Sequence, residues 1–362
     1  MSRCWCEIDL NAIRNNLHAL RAYLPQGTRL MPMVKADAYG HGALEMATVF
    51  QQCGCEWIGC ANAGEAIAMR RNGIRTPILL LSGFLDEELD EIARRRLSIT
   101  ISCIAEARVV QKAARASGFP IGVHVKVDTG MGRLGCRPHE AASLLAFVSA
   151  CSHLELQGFY THFARADDSK SFTQTQWRLF SGIPSPPGVL RHCSNSAGLL
   201  TLTDAHQDMV RPGIIVFGVS PLPRTKIQLK PALTWKCRVV SVRQVPARTP
   251  LSYGSTYLTA RTTRIATLAV GYGDGLFRCL GSKSHVLIRG TRCPIRGRIT
   301  MDQILVEVPT GLNVRRGDTA ILLGSSGQHH ITANDMANWA GTIPYEIWCH
   351  ITDRVVKQYL HT

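Results

Sequence analysis

Residues 29–42 read RLMPMVKADAYGHG, an apolar run that stops on a lysine and turns at once through small, acidic and glycine residues. Seven more short apolar runs follow: WIGCA (57–61), PILLLSG (77–83), LSITISC (97–103), IGVHVKV (121–127), LELQGFYTHF (154–163), GVLRHC (188–193) and MVRPGIIVFG (209–218). Between them lie segments of helical character, such as GALEMATVFQQCG, NAGEAIAMRRNG and CIAEARVVQKAARASG, which close on glycine as helices often do. Eight strands alternating with helices predict an α/β fold, a TIM-like (β/α)8 barrel, with functional side chains at the C-terminal strand ends. Lys35 then stands at the mouth, at the end of the first strand.

From about Lys236 the texture changes to VVSVRQV, TRIATLAVGYG, SHVLIRG, DQILVEV and DTAILLG, punctuated by GSK, PTG, RRGD and GSSG. This is the pattern of a mostly-β domain. The expected division is a barrel over 9–225 and a C-terminal β-domain over 226–362, joined by the N-terminal strand 1–8, with the boundary falling in PLPRTKIQLKP.

The 362 residues are 45% hydrophobic and carry 41 Lys plus Arg against 26 Asp plus Glu, a net charge of +15. That is a globular composition, with enough apolar residues for one large or two ordinary domains. The basic residues are scattered and their densest runs short, which points to a solvated basic surface and not to a nucleic-acid partner. No run of about 18 apolar residues exists, and MSRCWCEIDL lacks the apolar stretch of a secretory signal, so the expected compartment is the cytoplasm. Thirteen cysteines with no CxxC pair and no Cys/His ligand spacing read as reduced thiols, and no metal site is expected.

A lysine at a barrel mouth suits a carbonyl: desolvation lowers its amine pKa, and the free amine forms a Schiff base with an aldehyde such as pyridoxal phosphate. His162 closes the sixth strand, His192 the seventh, and Arg211 lies in the eighth, so four strands deliver polar groups to one place. The SNSA segment after strand seven and the RPGI turn after strand eight offer hydroxyls and backbone N–H groups where such barrels hold a phosphate.

VKADAYGHG, VKVDTGMGRLG, YTHFA, NSA, RPGI, SYGSTY, VGYGDG, RGRITMDQ and PYEI together resemble, in order and over essentially the whole chain, the motifs of the alanine racemase family. The resemblance implies a homodimer of pyridoxal 5'-phosphate barrels with C-terminal β-domains, supplying D-alanine for peptidoglycan. It implies that Lys35 carries the cofactor and that Tyr39, Asn195, Ser196, Gly213 and Ile214 surround its phosphate. His162 and His192 would belong to the network beside the ring, and Arg211 would face the pyridine nitrogen. An arginine cannot give up its proton, so it leaves the cofactor a weaker electron sink than a carboxylic acid would, which disfavours transamination. Racemisation needs a base on each face of the substrate. Lys35 serves one, and Tyr253 of SYGSTY, reaching the partner subunit's site, matches the other. Met301 and Asp302, with Arg133, match the group that receives the substrate carboxylate. Tyr345 of PYEI matches a cofactor-site residue that narrows the pocket to alanine. Lys126 matches a lysine that several members carry as a carbamate. Thr300 departs from the cysteine often found there.

Four rival readings share parts of this pattern. A serine racemase of the vancomycin-resistance type has a similar catalytic region behind membrane helices. The start of the chain at RCWCEIDL and its basic charge suit such an excised, membrane-linked domain, whereas Tyr345 speaks for alanine. Broad-specificity racemisation is the second. An amino-acid decarboxylase would need a carboxylate where Arg211 stands, and a small pyridoxal-phosphate-binding protein lacks the β-domain that carries Tyr253, Met301 and Asp302.

Overall fold

Eight parallel strands close into a ring in the computed structural model, which describes residues 2–361. One unit of the chain comprises Ile13–Ala38 and Gly42–Lys230; a second gathers Tyr39–His41 with the two end segments, up to Ala12 and from Pro231 onward. β1 (Cys4–Asp9) belongs to the second. The first holds β2 (Arg29–Leu30), β3 (Ile58–Cys60), β4 (Ile78–Leu80), β5 (Ser98–Ile101), β6 (Ile121–Lys126), β7 (Leu154–Tyr160), β8 (Leu190–His192) and β9 (Met209–Val210). They pair in the order β2-β9-β8-β7-β6-β5-β4-β3, and a parallel bridge between Met33 and Gly59 joins the two ends. This is the expected barrel. Every residue of β3 to β6 is buried, as strands covered on both faces must be. The run RLMPMV contributes a strand of only two residues, because Pro32 has no N–H for the ladder; pairing resumes at Met33.

The second unit is built on β10 (Leu233–Val245), whose alternating burial turns one face to the core. A bulge between Val239 and Ser241 lets this strand serve two neighbourhoods. Its first half pairs with β1 and with β17 (Thr319–Ser326); its second half pairs with β13 (Thr263–Leu268), which pairs in turn with β16 (Ile304–Val308). β14 (His285–Ile288), β15 (Thr291–Pro294), β18 (His329–Ile331) and β19 (Val356–Leu360) complete the sheet. β11 (Pro250–Leu251) and β12 (Tyr257–Leu258) form a separate small hairpin. No helix among the described residues is long and apolar enough to cross a membrane.

Directly after Lys35 the backbone winds left-handed. Ala36, Asp37, Ala38 and Tyr39 have φ of 51°, 52°, 52° and 54° before Gly40 at 77°. Each such L-residue costs on the order of 1–2 kcal/mol, so the turn needs outside support. Glu65 supplies part of it, its carboxylate accepting the Ala36 N–H and the Ala61 N–H at 2.8 Å each. The Asp37 carboxylate accepts from Ala43 N–H at 2.7 Å, and the Val34 carbonyl accepts from Ala38 N–H at 2.7 Å. Glu65 is itself fixed, because Asn62 caps its helix (Ala63–Arg71) through the Glu65 N–H.

Replacing Glu65 with alanine removes two acceptors at once and is expected to cost about 1–3 kcal/mol. The urea midpoint should fall for Glu65→Ala and fall less for Glu65→Gln, which keeps one acceptor. Equal midpoints for all three proteins would show that the turn does not depend on this carboxylate.

Candidate active site

Arg211 follows β9 and is 3% exposed. Its guanidinium donates to the carbonyls of Thr161 and Cys193 at 2.7 and 2.9 Å and to His192 Nδ1 at 2.9 Å; it also approaches His162 Nδ1 at 3.4 Å. It lies over the Tyr160 ring, 5.1 Å from the centroid, and His192 stacks on the same ring at 4.7 Å.

The tautomers follow from these contacts. An arginine only donates, so His192 Nδ1 accepts and the His192 proton sits on Nε2. His192 Nε2–H then donates to His124 Nδ1 at 2.9 Å. His124 in turn carries its proton on Nε2, a buried atom with no hydrogen-bond partner among the described residues. Gly158 makes room for this ring, since a Cβ there would come within 2.5 Å of His124 Nδ1. Burial, with Arg211 beside it, pushes His124 down to about 3, and the same two causes hold His192 and His162 well below the usual histidine range. All three rings are neutral at physiological pH.

Lys126 ends β6, 2% exposed, with Nζ 5.5 Å from the Tyr160 centroid. Burial and then the charges of Arg133 and Arg211 lower it from 10.5 to about 8. Arg133 is exposed on a loop wound around Asp128, whose carboxylate accepts from the N–H groups of Gly130, Met131 and Gly132. Lys35 is exposed, and its charge also acts on His162. Four cationic groups therefore surround His162, a setting made for an anionic ligand.

The segment after β8 supplies hydroxyl and backbone groups. Asn195 caps the helix Ser196–Thr201 by accepting from Gly198 N–H at 2.9 Å, and its amide donates to the Phe163 carbonyl. Ser196 Oγ accepts the Gly213 N–H at 2.8 Å, so its own O–H is directed elsewhere. Ile214 opens a short 3-10 helix behind Gly213.

Within the second unit, Tyr39 packs on Tyr345 with ring centroids 5.6 Å apart. Tyr253 sits in the loop between β11 and β12, where Ser252, Gly254 and Ser255 all have positive φ, and its ring is 69% exposed. Met301 is 52% exposed, on a loop whose Asp302 side chain meets Arg354. The first unit thus brings together Lys126, His162, His192, Ser196, Arg211 and Gly213, and the second carries Tyr39, Tyr253, Met301, Asp302 and Tyr345.

Sequence reading passed over His124, Tyr160 and Glu65. The period-two rule offered a signal for the first, because His124 and Lys126 share one face of β6. Tyr160 likewise stands two residues before His162.

Comparison with known proteins gives a concordant result. Residues 8–221 match the family model for the alanine racemase N-terminal domain, and residues 232–359 match that for the C-terminal domain. The chain is 42% identical to an alanine racemase of Symbiobacterium thermophilum, over 99% of this chain and 97% of that protein. The solved alanine racemase of Streptomyces coelicolor A3(2) superposes with a TM-score of 0.94 at 36% identity, covering 99% of this chain and 98% of that one. That of Bacillus anthracis, solved with bound L-Ala-P, gives 0.91 at 32% identity, covering 100% and 96%. The chain belongs to the alanine racemase family.

The lowered Lys126 value has a measurable consequence. Below about pH 8 the lysine is protonated in both folded and unfolded chains, and the folded state bears the full penalty of burying the charge. Between about 8 and 10.5 the unfolded chain binds more protons than the folded one, so stability rises with pH as the penalty is relieved. In CO2-free buffer, Lys126→Met should therefore be more stable than the unmodified protein at pH 7, by a margin that closes toward pH 10.5. Denaturant midpoints across this range test it; a constant margin would contradict the assignment.

Proposed function

We propose that this member of the alanine racemase family interconverts L- and D-alanine with pyridoxal 5'-phosphate as its cofactor. The observation that carries the reading is Arg211, buried and held as a donor by two carbonyls and a neutral histidine, within a cationic cluster that includes Lys35. The donor set fits a phosphorylated aldehyde: a lysine amine for the aldehyde, the Ser196 hydroxyl with the backbone of Gly213 and Ile214 for the phosphate, and Arg211 for the ring nitrogen. When bound, the cofactor supplies the conjugated system that makes the amino acid's α-proton acidic.

The chain's own groups do the rest. Lys35 Nζ anchors the cofactor and exchanges the α-proton on one face. Tyr253 Oη, from the partner subunit of a homodimer, serves the other face; exposure of its ring on each chain accords with a role beyond that chain. Tyr39 contacts the phosphate, and Asn195 orders the helix that carries Ser196. His162 and His192 hold Arg211 without adding charge. The segment that carries Met301 and Asp302 receives the substrate carboxylate, with Arg133 as the charged group nearby. Tyr345, packed on Tyr39, limits the pocket to a methyl group. Lys126, with its lowered pKa, takes up CO2 as a carbamate with loss of a proton, placing an anion among the cations. The product, D-alanine, serves peptidoglycan assembly, and the compartment is the cytoplasm.

Purified protein loaded with pyridoxal phosphate should racemise L-Ala, and L-Ser roughly five- to 150-fold less efficiently in kcat/KM, because a hydroxymethyl group meets the Tyr345 ring with its OH unpaired. Tyr345→Asn should narrow that gap. Equal turnover of the two substrates would favour the serine racemase instead.

Lys35→Ala should lose both racemisation and the visible absorbance of bound cofactor, while Tyr253→Phe should lose racemisation and keep the absorbance. Mixing the two variants should restore activity as subunits exchange. No recovery despite exchange would argue against a site built from two chains.

A further inference from the structure

VGYGDG (270–275) and TMDQ (300–303) lie backbone against backbone in the second unit. Tyr272 N–H donates to the Thr300 carbonyl at 3.0 Å, and Gly273 N–H to the Met301 carbonyl at 2.9 Å. The approach is so close that a Cβ on Gly271 would overlap both of those carbonyl oxygens. The loop also closes on itself, with the Thr300 N–H and Oγ1 both donating to the Gln303 carbonyl.

Arg354 ties this arrangement together from the side. Its Nη2 donates to Asp302 Oδ1 at 2.7 Å, and its Nε faces Asp274 Oδ1 at 3.4 Å. The Asp274 side chain is 7% exposed, and its Oδ2 accepts the Gly271 N–H at 2.9 Å. Gly273 leaves room for the guanidinium, since a Cβ there would collide with Arg354 Nη1. Thr352, two residues earlier, anchors the segment that carries Arg354 by donating from its N–H to the Asp274 carbonyl and from its hydroxyl to the Gly273 carbonyl. One arginine thus links a buried carboxylate under the cradle to the exposed carboxylate of the loop.

We propose that Arg354 is a positioning residue for substrate binding: it locks the 300–303 loop onto its glycine cradle and cancels the Asp302 charge. This rests on the reading that the loop receives the substrate carboxylate. An exposed ion pair alone contributes little. Here it has a specific task, because an uncompensated Asp302 beside an anionic substrate would repel it, a penalty of roughly three- to tenfold in affinity at partly solvated separations.

The test uses the loaded enzyme and two readouts. Arg354→Met should raise KM for L-Ala roughly three- to tenfold with kcat within about twofold, and Arg354→Lys should fall between. Adding Asp302→Asn to Arg354→Met should recover much of the KM, which a purely structural role for Arg354 does not foresee. Hydrogen exchange, followed by mass spectrometry on the peptide spanning residues 298–305, should quicken in Arg354→Met. Unchanged exchange would overturn the lock. Faster exchange with unchanged KM would instead overturn the assignment of this loop to the substrate carboxylate. A loss confined to kcat would overturn the proposal as well.

Discussion

A left-handed turn of four successive L-residues is a costly piece of backbone, and it stands directly behind Lys35. Four L-residues in that conformation sum to several kcal/mol, a sizeable share of the roughly 5–15 kcal/mol by which domains are stable. The surroundings are built to hold it. Glu65 reaches across from the helix after β3, Asn62 fixes Glu65, and Asp37 closes the far side. The turn ends the strand abruptly, so Lys35 is exposed while the four residues before it are buried.

Electrostatics in the barrel follow a single rule: positive charge is concentrated and kept from spreading to the histidines. Arg211, Lys126, Arg133 and Lys35 all depress His162, and no carboxylate is among the causes acting on it. A ring that became charged would lose the acceptor on which Arg211 rests, so the His192–His124 relay is stable only as neutral imidazoles. Arg211 is thereby the permanent donor of the group. Lys126, pushed down to about 8, changes its charge within the ordinary pH range.

Much of this was legible in the residue order. The eight apolar runs mark the eight barrel strands, and that alternation placed His192 at the end of its strand and Arg211 in its own, which stops one residue short of it at Val210. His162 lies two residues beyond β7, because pairing stops at Tyr160. The left-handed turn was not legible: in ADAY only the aspartate tolerates positive φ well, and the conformation is imposed by contacts from residues 61–65. Arg354 was hidden for a similar reason, since its partners Asp302 and Asp274 are 52 and 80 residues away in sequence. The backbone contact between VGYGDG and TMDQ is equally remote in sequence, and only the glycines hinted that something approaches closely.

β1 is an interior strand, flanked by β10 on one side and β19 on the other. Cys4 meets Trp235, 231 residues later, and Trp5 pairs with Val356 near the far end of the chain. During synthesis this strand therefore waits, unpaired on both edges, until β10 has been made, and its second edge stays open until β19 follows. The barrel's strands lie between β1 and both of these partners in sequence, so they can assemble first. Completion of the second unit's sheet is then a late event in biogenesis, and the open edges of residues 4–9 before it are the vulnerability that this topology creates.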